Sequence, residues 1–446
     1  MKERGDIMKE KVEPRTLPGF MELLPQDQIM FNKMVDTIRS VYEEFGFLPL
    51  DTPTIELSEV LLAKAGGETE KQIYRFFKGD TDLSLRFDLT VPLARYVAGH
   101  YNDLVFPFKR YQISKVFRGE RPQKGRFREF YQCDIDIIGN DTLDLIYDAE
   151  IPSVIYYVFQ KLNLGKFTIR MNNRKILNGF FESLGLLSNA SDILRVIDKI
   201  DKIGREAVQE ELVSLGLDEN RISKILSFLT ITGTNADKIA ALKGLGIDCE
   251  TFQVGLQELE TVIESLRSFQ VDENYFQIDL TIARGLDYYT GTVYETILDE
   301  YPKLGSICSG GRYENLADYY TEEHLPGVGI SIGLTRLFSQ LKEIGLVGEN
   351  KNTISQVLIV PMDKSNNGYV LETASILRNN GIKTDVYYQD KGMKQKMKYA
   401  DRLGIPYVLV IGENEVKESK VAFKDMISGN QELITVEEVI ERLTNS

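Results

Sequence analysis

The sequence predicts an α+β domain built on a mainly antiparallel sheet, interrupted by a helical insertion and followed by a small α/β domain. Three observations carry this reading. Strand-like alternation runs from about residue 72 to 140 and returns beyond 270; a stretch from roughly 180 to 270 is almost wholly helical in pattern; and from about 354 strand and helix alternate at short intervals. The implied boundaries are 1–345 for the first domain, 180–270 for the insertion within it and 354–446 for the last domain.

Taken in order, the first element is an amphipathic helix. Phe31, Met34, Val35, Ile38, Val41, Tyr42 and Phe45 recur at three- and four-residue spacing, with Asp27 placed as an N-cap and Gly46 as a C-cap glycine. FLPLDTPTIE follows as an extended segment broken by Pro53, and a long helix feeding such a strand suits a packing or dimer surface. IYRFF, LSLRFDL, FKRYQISKVFRG and FREFYQCDIDIIG read as a series of antiparallel strands, with a helix over LTVPLARYVA between them. FTIRM, the run from IDLTIARGLDYYTGTVYETIL through SICSGGRYENL, and GVGISIGL would complete one sheet. The last passes into a helix whose buried stripe is Leu334, Leu337, Phe338 and Leu341. The insertion is marked by RVIDKIDKIG, AVQEELVSLG and FQVGLQELETVIESLRSF. Beyond the polar linker KEIGLVGENKNTIS, the order QVLIVP, helix, IKTDVYY, helix, PYVLVIG indicates a largely parallel sheet.

Composition narrows the class. With 446 residues the chain exceeds one compact core, and 43% hydrophobic with 27% charged residues is globular rather than disordered or collagen-like. No apolar run approaches the length of about 18 residues needed to span a bilayer, and MKERGDIMKEKVEPR lacks the apolar stretch of a signal peptide, so a cytoplasmic protein is expected. Cys133, Cys249 and Cys308 are far apart and form no CxxC pair, which argues against a disulfide framework and against zinc. Only two histidines occur, His100 and His324; both read as surface loop residues, and a His-centred relay is not expected. The net charge of −14 disfavours general polyanion binding. Positive charge is nevertheless local: RGERPQKGRFR (118–128) holds five basic residues against one acid, and KGMKQKMKYADR is a second basic stretch.

On a hairpin built from FRGERPQKGRFREFYQCDIDIIG, the residues Arg128, Phe130, Gln132, Asp134 and Asp136 would share one side of the returning strand. Such a face is either an edge strand with solvated charges or a binding cleft. ARGLDYYTGTVYE sets Arg284 before Gly285 and the Tyr288–Tyr289 pair, and CSGGRYENL sets Arg312 and Tyr313 after two glycines, where backbone or ligand can approach closely. Either could equally be a strand connection, and Arg336, off the apolar stripe of its helix, reads singly as a surface residue. No G-x-x-x-x-G-K-[ST] loop or dinucleotide fingerprint occurs, so a bound nucleotide would be held by arginines, whose planar forks grip phosphate oxygens in pairs.

These pieces, in this order and over almost the whole chain, resemble the histidyl-tRNA synthetases. FRGERPQKGRFREFYQCDID looks like class II motif 2, GVGISIGLTRLF like motif 3, and ARGLDYYTG with SGGRYENL like the two histidine-specific signatures. The resemblance implies a class II catalytic domain with motif 1 at a homodimer interface, the family's usual insertion and a C-terminal anticodon-binding domain. It implies ATP, L-histidine and the tRNA for histidine as substrates, with Mg²⁺ accompanying ATP. By the same resemblance, Arg118 would bind the α-phosphate and the histidine carboxylate, Phe130 would stack on adenine, Glu120 and Arg126 would join the ATP site, and Arg336 would meet the γ-phosphate. Asp88, Thr90 and Gln132 would hold the α-ammonium. Asp136 and Tyr289 would read the imidazole, with Tyr288 and Tyr313 lining the pocket. Arg284 would sit at the reacting phosphate, and Arg121 and Gln123 would face the acceptor end of tRNA. Many bacterial members carry Glu where this chain has Asp88 and Asp136, and PRTLPGFMELLP departs from the usual PRGTRDLLP pattern. The competing reading is the regulatory paralogue of ATP phosphoribosyltransferase, which typically lacks the C-terminal unit.

Overall fold

The computed structural model describes residues 12–63, 68–121, 125–197, 199–282, 289–315, 317–347 and 352–444. The chain divides into two compact units, one of Met1–Met21 with Met34–Leu346 and one of Glu22–Lys33 with Val347–Ser446. Among the described residues no helix is long and apolar enough to cross a membrane.

The opening helix spans Pro25–Glu44. Pro25 stands at its first position, where the fixed φ of proline is already helical and its missing N–H is no loss. Asp27 therefore lies inside the first turn rather than at the N-cap expected for it; its carboxylate there complements the helix dipole. At the other end Gly46 takes φ +77°, donating to Glu43 O at 3.0 Å while Phe47 N–H reaches Tyr42 O at 3.1 Å, so the glycine stop is as expected. Phe31, Met34, Ile38, Val41 and Tyr42 are buried, and the Tyr42 hydroxyl donates to Cys133 O at 3.0 Å.

After β1 (Leu48–Pro49) come β2 (Ile55–Leu57), β3 (Arg75–Lys78) and β4 (Thr81–Leu85). These last three form a separate antiparallel sheet in the order β2-β4-β3. The expectation of one continuous series from 72 to 140 is corrected here: β4 pairs with β2 on one edge and β3 on the other, so neither edge remains for the main sheet. The main sheet comprises β1, β5 (Phe108–Phe117), β6 (Glu129–Ile138), β7 (Phe167–Asn173), β8 (Phe276–Ile278), β9 (Thr292–Leu298), β10 (Cys308–Tyr313) and β11 (Gly327–Gly333). Its order is β1-β5-β6-β11-β10-β9-β7-β8. All neighbours are antiparallel except the two outermost pairs, β1 with β5 and β7 with β8.

A helix over Tyr147–Leu162 is tied to this sheet by Tyr294, whose hydroxyl donates to Asp148 O at 2.6 Å, and by the buried Arg312–Asp148 ion pair at 2.7 Å. The helical insertion leaves the sheet after β7 and rejoins it at β8. Its first and last helices, Arg174–Ser183 and Glu250–Ser268, cross at glycines: a Cβ on Gly179 would lie 2.4 Å from the Phe252 nitrogen, and one on Gly255 2.7 Å from the Ile176 nitrogen.

The second unit holds β12 (Val357–Pro361), β13 (Thr384–Val386), β14 (Tyr407–Ile411), β15 (Val421–Asp425) and β16 (Gln431–Ile434), ordered β13-β12-β14-β15-β16. The first three strands are parallel, as read from the strand–helix rhythm. Beyond PYVLVIG, β15 and β16 add an antiparallel hairpin, so the sheet is less parallel than expected. On the helix Met393–Leu403, Lys394, Lys398 and Arg402 are exposed, whereas Lys396 is buried and donates to Pro361 O at 2.6 Å.

Candidate active site

The site is built on β6. Alternation along the strand sends buried Cys133, Ile135 and Ile137 to one face and Phe130, Gln132, Asp134 and Asp136 to the other. Pairing with β5 sets Arg110 opposite Asp136, Gln112 opposite Asp134 and Ser114 opposite Gln132. On its other side β11 sets Gly329 opposite Asp136, Ser331 opposite Asp134 and Gly333 opposite Gln132. The strand is therefore interior, which rules out the solvated-edge alternative, and a polar face extends over three adjacent strands.

At the Phe130 end lies a cavity of about 360 Å³ whose walls include Arg118, Glu120, Arg126, Phe130 and Arg336, the five residues expected around ATP, together with Gln132. Arg118 donates from Nε to Phe87 O at 3.0 Å, and its guanidinium lies 5.2 Å from the Phe130 ring centroid, within cation–π range. Glu120 and Arg126 form a solvent-facing pair at 3.4 Å, which fixes little by itself. Arg336 donates to Leu304 O at 2.7 Å. Ser306, Ser309, Ser331 and Gln340 also line this cavity and were not singled out from the sequence. Arg121 is exposed on the loop. Arg284, Tyr288 and Gln123 lie outside the described residues.

At the other end of the same face Asp136 is clamped. Arg110, wholly buried, reaches its Oδ2 at 2.6 Å, and the Tyr313 hydroxyl donates to its Oδ1 at 2.8 Å. Glycines make the floor: a Cβ on Gly329 would stand 2.2 Å from Asp136 Oδ1, one on Gly327 2.4 Å from the Tyr313 ring, and one on Gly311 2.9 Å from Tyr289 Cδ1. The glycine-rich strands thus let Asp136, Tyr313 and Tyr289 lie across the sheet. Arg312, the neighbour of Tyr313, faces the opposite way onto Asp148. Asp88 precedes the helix Thr90–Gly99 and accepts the Val91 N–H at 3.1 Å.

Burial dominates the electrostatics. It pushes the Asp136 carboxyl up to about 6 although Arg110 and Tyr313 pull it down, and it pushes Asp134 up to about 7 against Arg110 and Ser331, with Asp136 and Asp88 adding to the rise. Asp88 is raised by burial as well. The Tyr289 hydroxyl is raised by burial and by Asp136 and Asp134, so it remains a proton donor. Sequence reasoning missed Arg110. The available signal was its place in FKRYQIS, two residues before Gln112, but only the β5–β6 register brings it opposite Asp136.

An antiparallel sheet carrying arginines around a cleft, without a phosphate loop, defines a class II aminoacyl-tRNA synthetase architecture. The chain belongs to the histidyl-tRNA synthetase family: the model described as histidyl-tRNA synthetase matches residues 19–337, and that described as anticodon binding domain matches residues 356–446. It is 60% identical over 441 residues to the histidine–tRNA ligase of Clostridium tetani, covering 99% of this chain and all of the relative. It is 49% identical over 432 residues to that of Finegoldia magna, covering 97% of this chain and all of the relative. The crystal structure of histidyl-tRNA synthetase from Nostoc sp. PCC 7120 superposes with a TM-score of 0.91 at 42% identity, covering 98% of this chain and 100% of that one.

Proposed function

We propose that this chain activates L-histidine with ATP, giving histidyl-adenylate and pyrophosphate, and transfers histidine to the 3′ end of its tRNA. The observation that carries this reading is the single face of β6, which runs from Phe130 in an arginine-lined cavity to Asp136, buried against Arg110 and Tyr313. A nucleotide suits one end and a small polar side chain the other. The histidine carboxylate is ionised at neutral pH, its ordinary pKa being about 3.5, so attack on the α-phosphate needs no general base. The chain's task is to align two anions and neutralise charge that spreads over the phosphoryl oxygens. Arg118 and Arg284 are assigned that role. Phe130 would stack on adenine through the ring face that Arg118 does not cover, while Arg126 and Arg336 take the outer phosphates. Glu120, a cavity-wall carboxylate of the hard-oxygen type that suits Mg²⁺, would meet the ion accompanying the β- and γ-phosphates, where that ion offsets negative charge.

Asp136 and Tyr289 would read the imidazole, with Tyr288 and Tyr313 beside them and Asp88, Thr90 and Gln132 near the α-ammonium. A pocket that pairs both ring nitrogens leaves buried groups unsatisfied with any other amino acid, a penalty that can reach about 10⁴- to 10⁵-fold. Arg121 and Gln123 would face the acceptor end of tRNA, and residues 354–446 the anticodon. A homodimer is part of the reading: Ile55, Leu57 and Phe76 are large apolar side chains left exposed on one face of the small sheet, a surface suited to a second copy. ATP–pyrophosphate exchange with each amino acid in turn tests the proposal: exchange with histidine alone is expected, and no exchange with histidine in a folded sample would favour the regulatory paralogue.

A further inference from the structure

Between the two ends of the β6 face stands Asp134, a carboxylate 2% exposed for which neither the sequence nor the adenylation scheme provides a use. Gln132, one pleat away, donates from Nε2 to the Ser331 hydroxyl at 2.7 Å, and Ser331 in turn hydrogen-bonds the Asp134 carboxyl. With those bonds made, Gln132 Oε1 and Asp134 Oδ1 are buried acceptors that have no hydrogen-bond partner among the described residues. A buried acceptor without a donor is costly, by an amount comparable to a lost hydrogen bond, and two such atoms on adjacent pleats point to a donor-rich ligand.

The charges agree. Asp88, Asp134 and Asp136 are electrostatic neighbours, and among the described residues the cations acting on them are Arg110 and Arg118, so three carboxyls face two guanidiniums. These carboxyls would attract a cationic group of a ligand. Asp88, moreover, spends Oδ1 on the helix it precedes. Spacing supplies the identity of the cation. Alternate residues of a strand stand about 6.8 Å apart, which matches the reach of histidine from its ammonium to its ring. With the ring at Asp136, the ammonium falls at Asp134.

Resting on the function proposed above, we infer that Asp134, together with Gln132 Oε1, receives the α-ammonium of histidine and supplies its counter-charge. The ammonium donates to Asp134 Oδ1 and Gln132 Oε1, while Ser331 keeps the second carboxyl oxygen occupied. Burial holds Asp134 near pKa 7, and an arriving cation favours its ionised form.

The test compares L-histidine with 3-(imidazol-4-yl)propionate, which is histidine without the ammonium, in the full-length protein. For Asp134→Asn the histidine KM in pyrophosphate exchange should rise about 10- to 100-fold, the loss expected when a charged hydrogen-bond partner goes. The ATP KM and the inhibition constant of the des-amino analogue should stay within about twofold. Ser331→Ala, which leaves Asp134 in place but removes its donor, should give a smaller loss with the same selectivity, and it serves if Asp134→Asn does not fold. Equal weakening of histidine and the analogue would make Asp134 structural, and unchanged histidine use would remove it from the site; either overturns the inference. Absence of histidine-dependent exchange in the unaltered protein would overturn the function on which it rests, a result that the variant comparison cannot imitate.

Discussion

Asp136 is held from two sides, by Arg110 on β5 and Tyr313 on β10, and this decides what its removal costs. Asp136→Asn keeps the shape but strips Arg110 of its counter-charge. Breaking a buried ion pair from one side typically costs about 3–5 kcal/mol, and because burial already penalises the Asp136 carboxylate despite Arg110, the variant should lose less stability than this in urea unfolding. Its histidine KM should rise about 10- to 100-fold with little change for ATP. Adding Arg110→Met should recover stability but not histidine use, because it removes the stranded charge without restoring the acceptor. An unchanged histidine KM with a raised ATP KM would assign Asp136 elsewhere. The same burial gives a pH signature. Asp134 near 7 and Asp136 near 6 both lie above the ordinary 3.8, so between about pH 4 and 7 the folded protein binds more protons than the unfolded chain. Their contribution to stability is therefore full below pH 4 and is lost as pH rises through 6 and 7. Relative to the unaltered, ligand-free protein, Asp134→Asn should become progressively less destabilising from pH 5 to pH 8, measured by urea midpoints. A pH-independent difference would mean that Asp134 titrates as an ordinary carboxyl.

Glycine placement controls the strands that carry these residues. A methyl on Gly329 would collide with Asp136 at 2.2 Å, so Gly329→Ala should displace the carboxylate and reduce histidine use on the order of 10²-fold while leaving the ATP cavity intact. Normal histidine kinetics in this variant would show that Asp136 needs no such close approach. The strands themselves were legible: period-two alternation placed Phe130, Gln132, Asp134 and Asp136 on one face, and the apolar stripe placed Leu334, Leu337, Phe338 and Leu341 in the core. What the sequence withheld was pairing. Nothing local states that β4 is consumed by β2 and β3, or that Arg110 lies across from Asp136, because register is set by partners tens of residues away. Asp27 resembles a cap by residue type, but Pro25 opens the helix two residues earlier. The β15–β16 hairpin lies beyond the strand–helix rhythm, which ends at β14 and carries no signal for an antiparallel addition.

The basic helix Met393–Leu403 belongs to the second unit and the arginine-lined cavity to the first, so the proposed contacts with tRNA and with ATP can be altered separately. Replacing exposed Lys394 and Lys398 together by Glu should raise the KM for tRNA about tenfold at moderate salt without altering pyrophosphate exchange, because lost phosphate contacts weaken polyanion binding alone. Equal loss of both activities would contradict that division. Charging of unfractionated tRNA by the full chain, offered each amino acid separately with ATP, tests the proposed activity directly. Labelled histidine alone should be esterified, on the tRNA for histidine alone, with histidine-dependent pyrophosphate exchange accompanying it. Charging with another amino acid, or a folded protein that neither exchanges pyrophosphate nor charges tRNA with histidine, would contradict it.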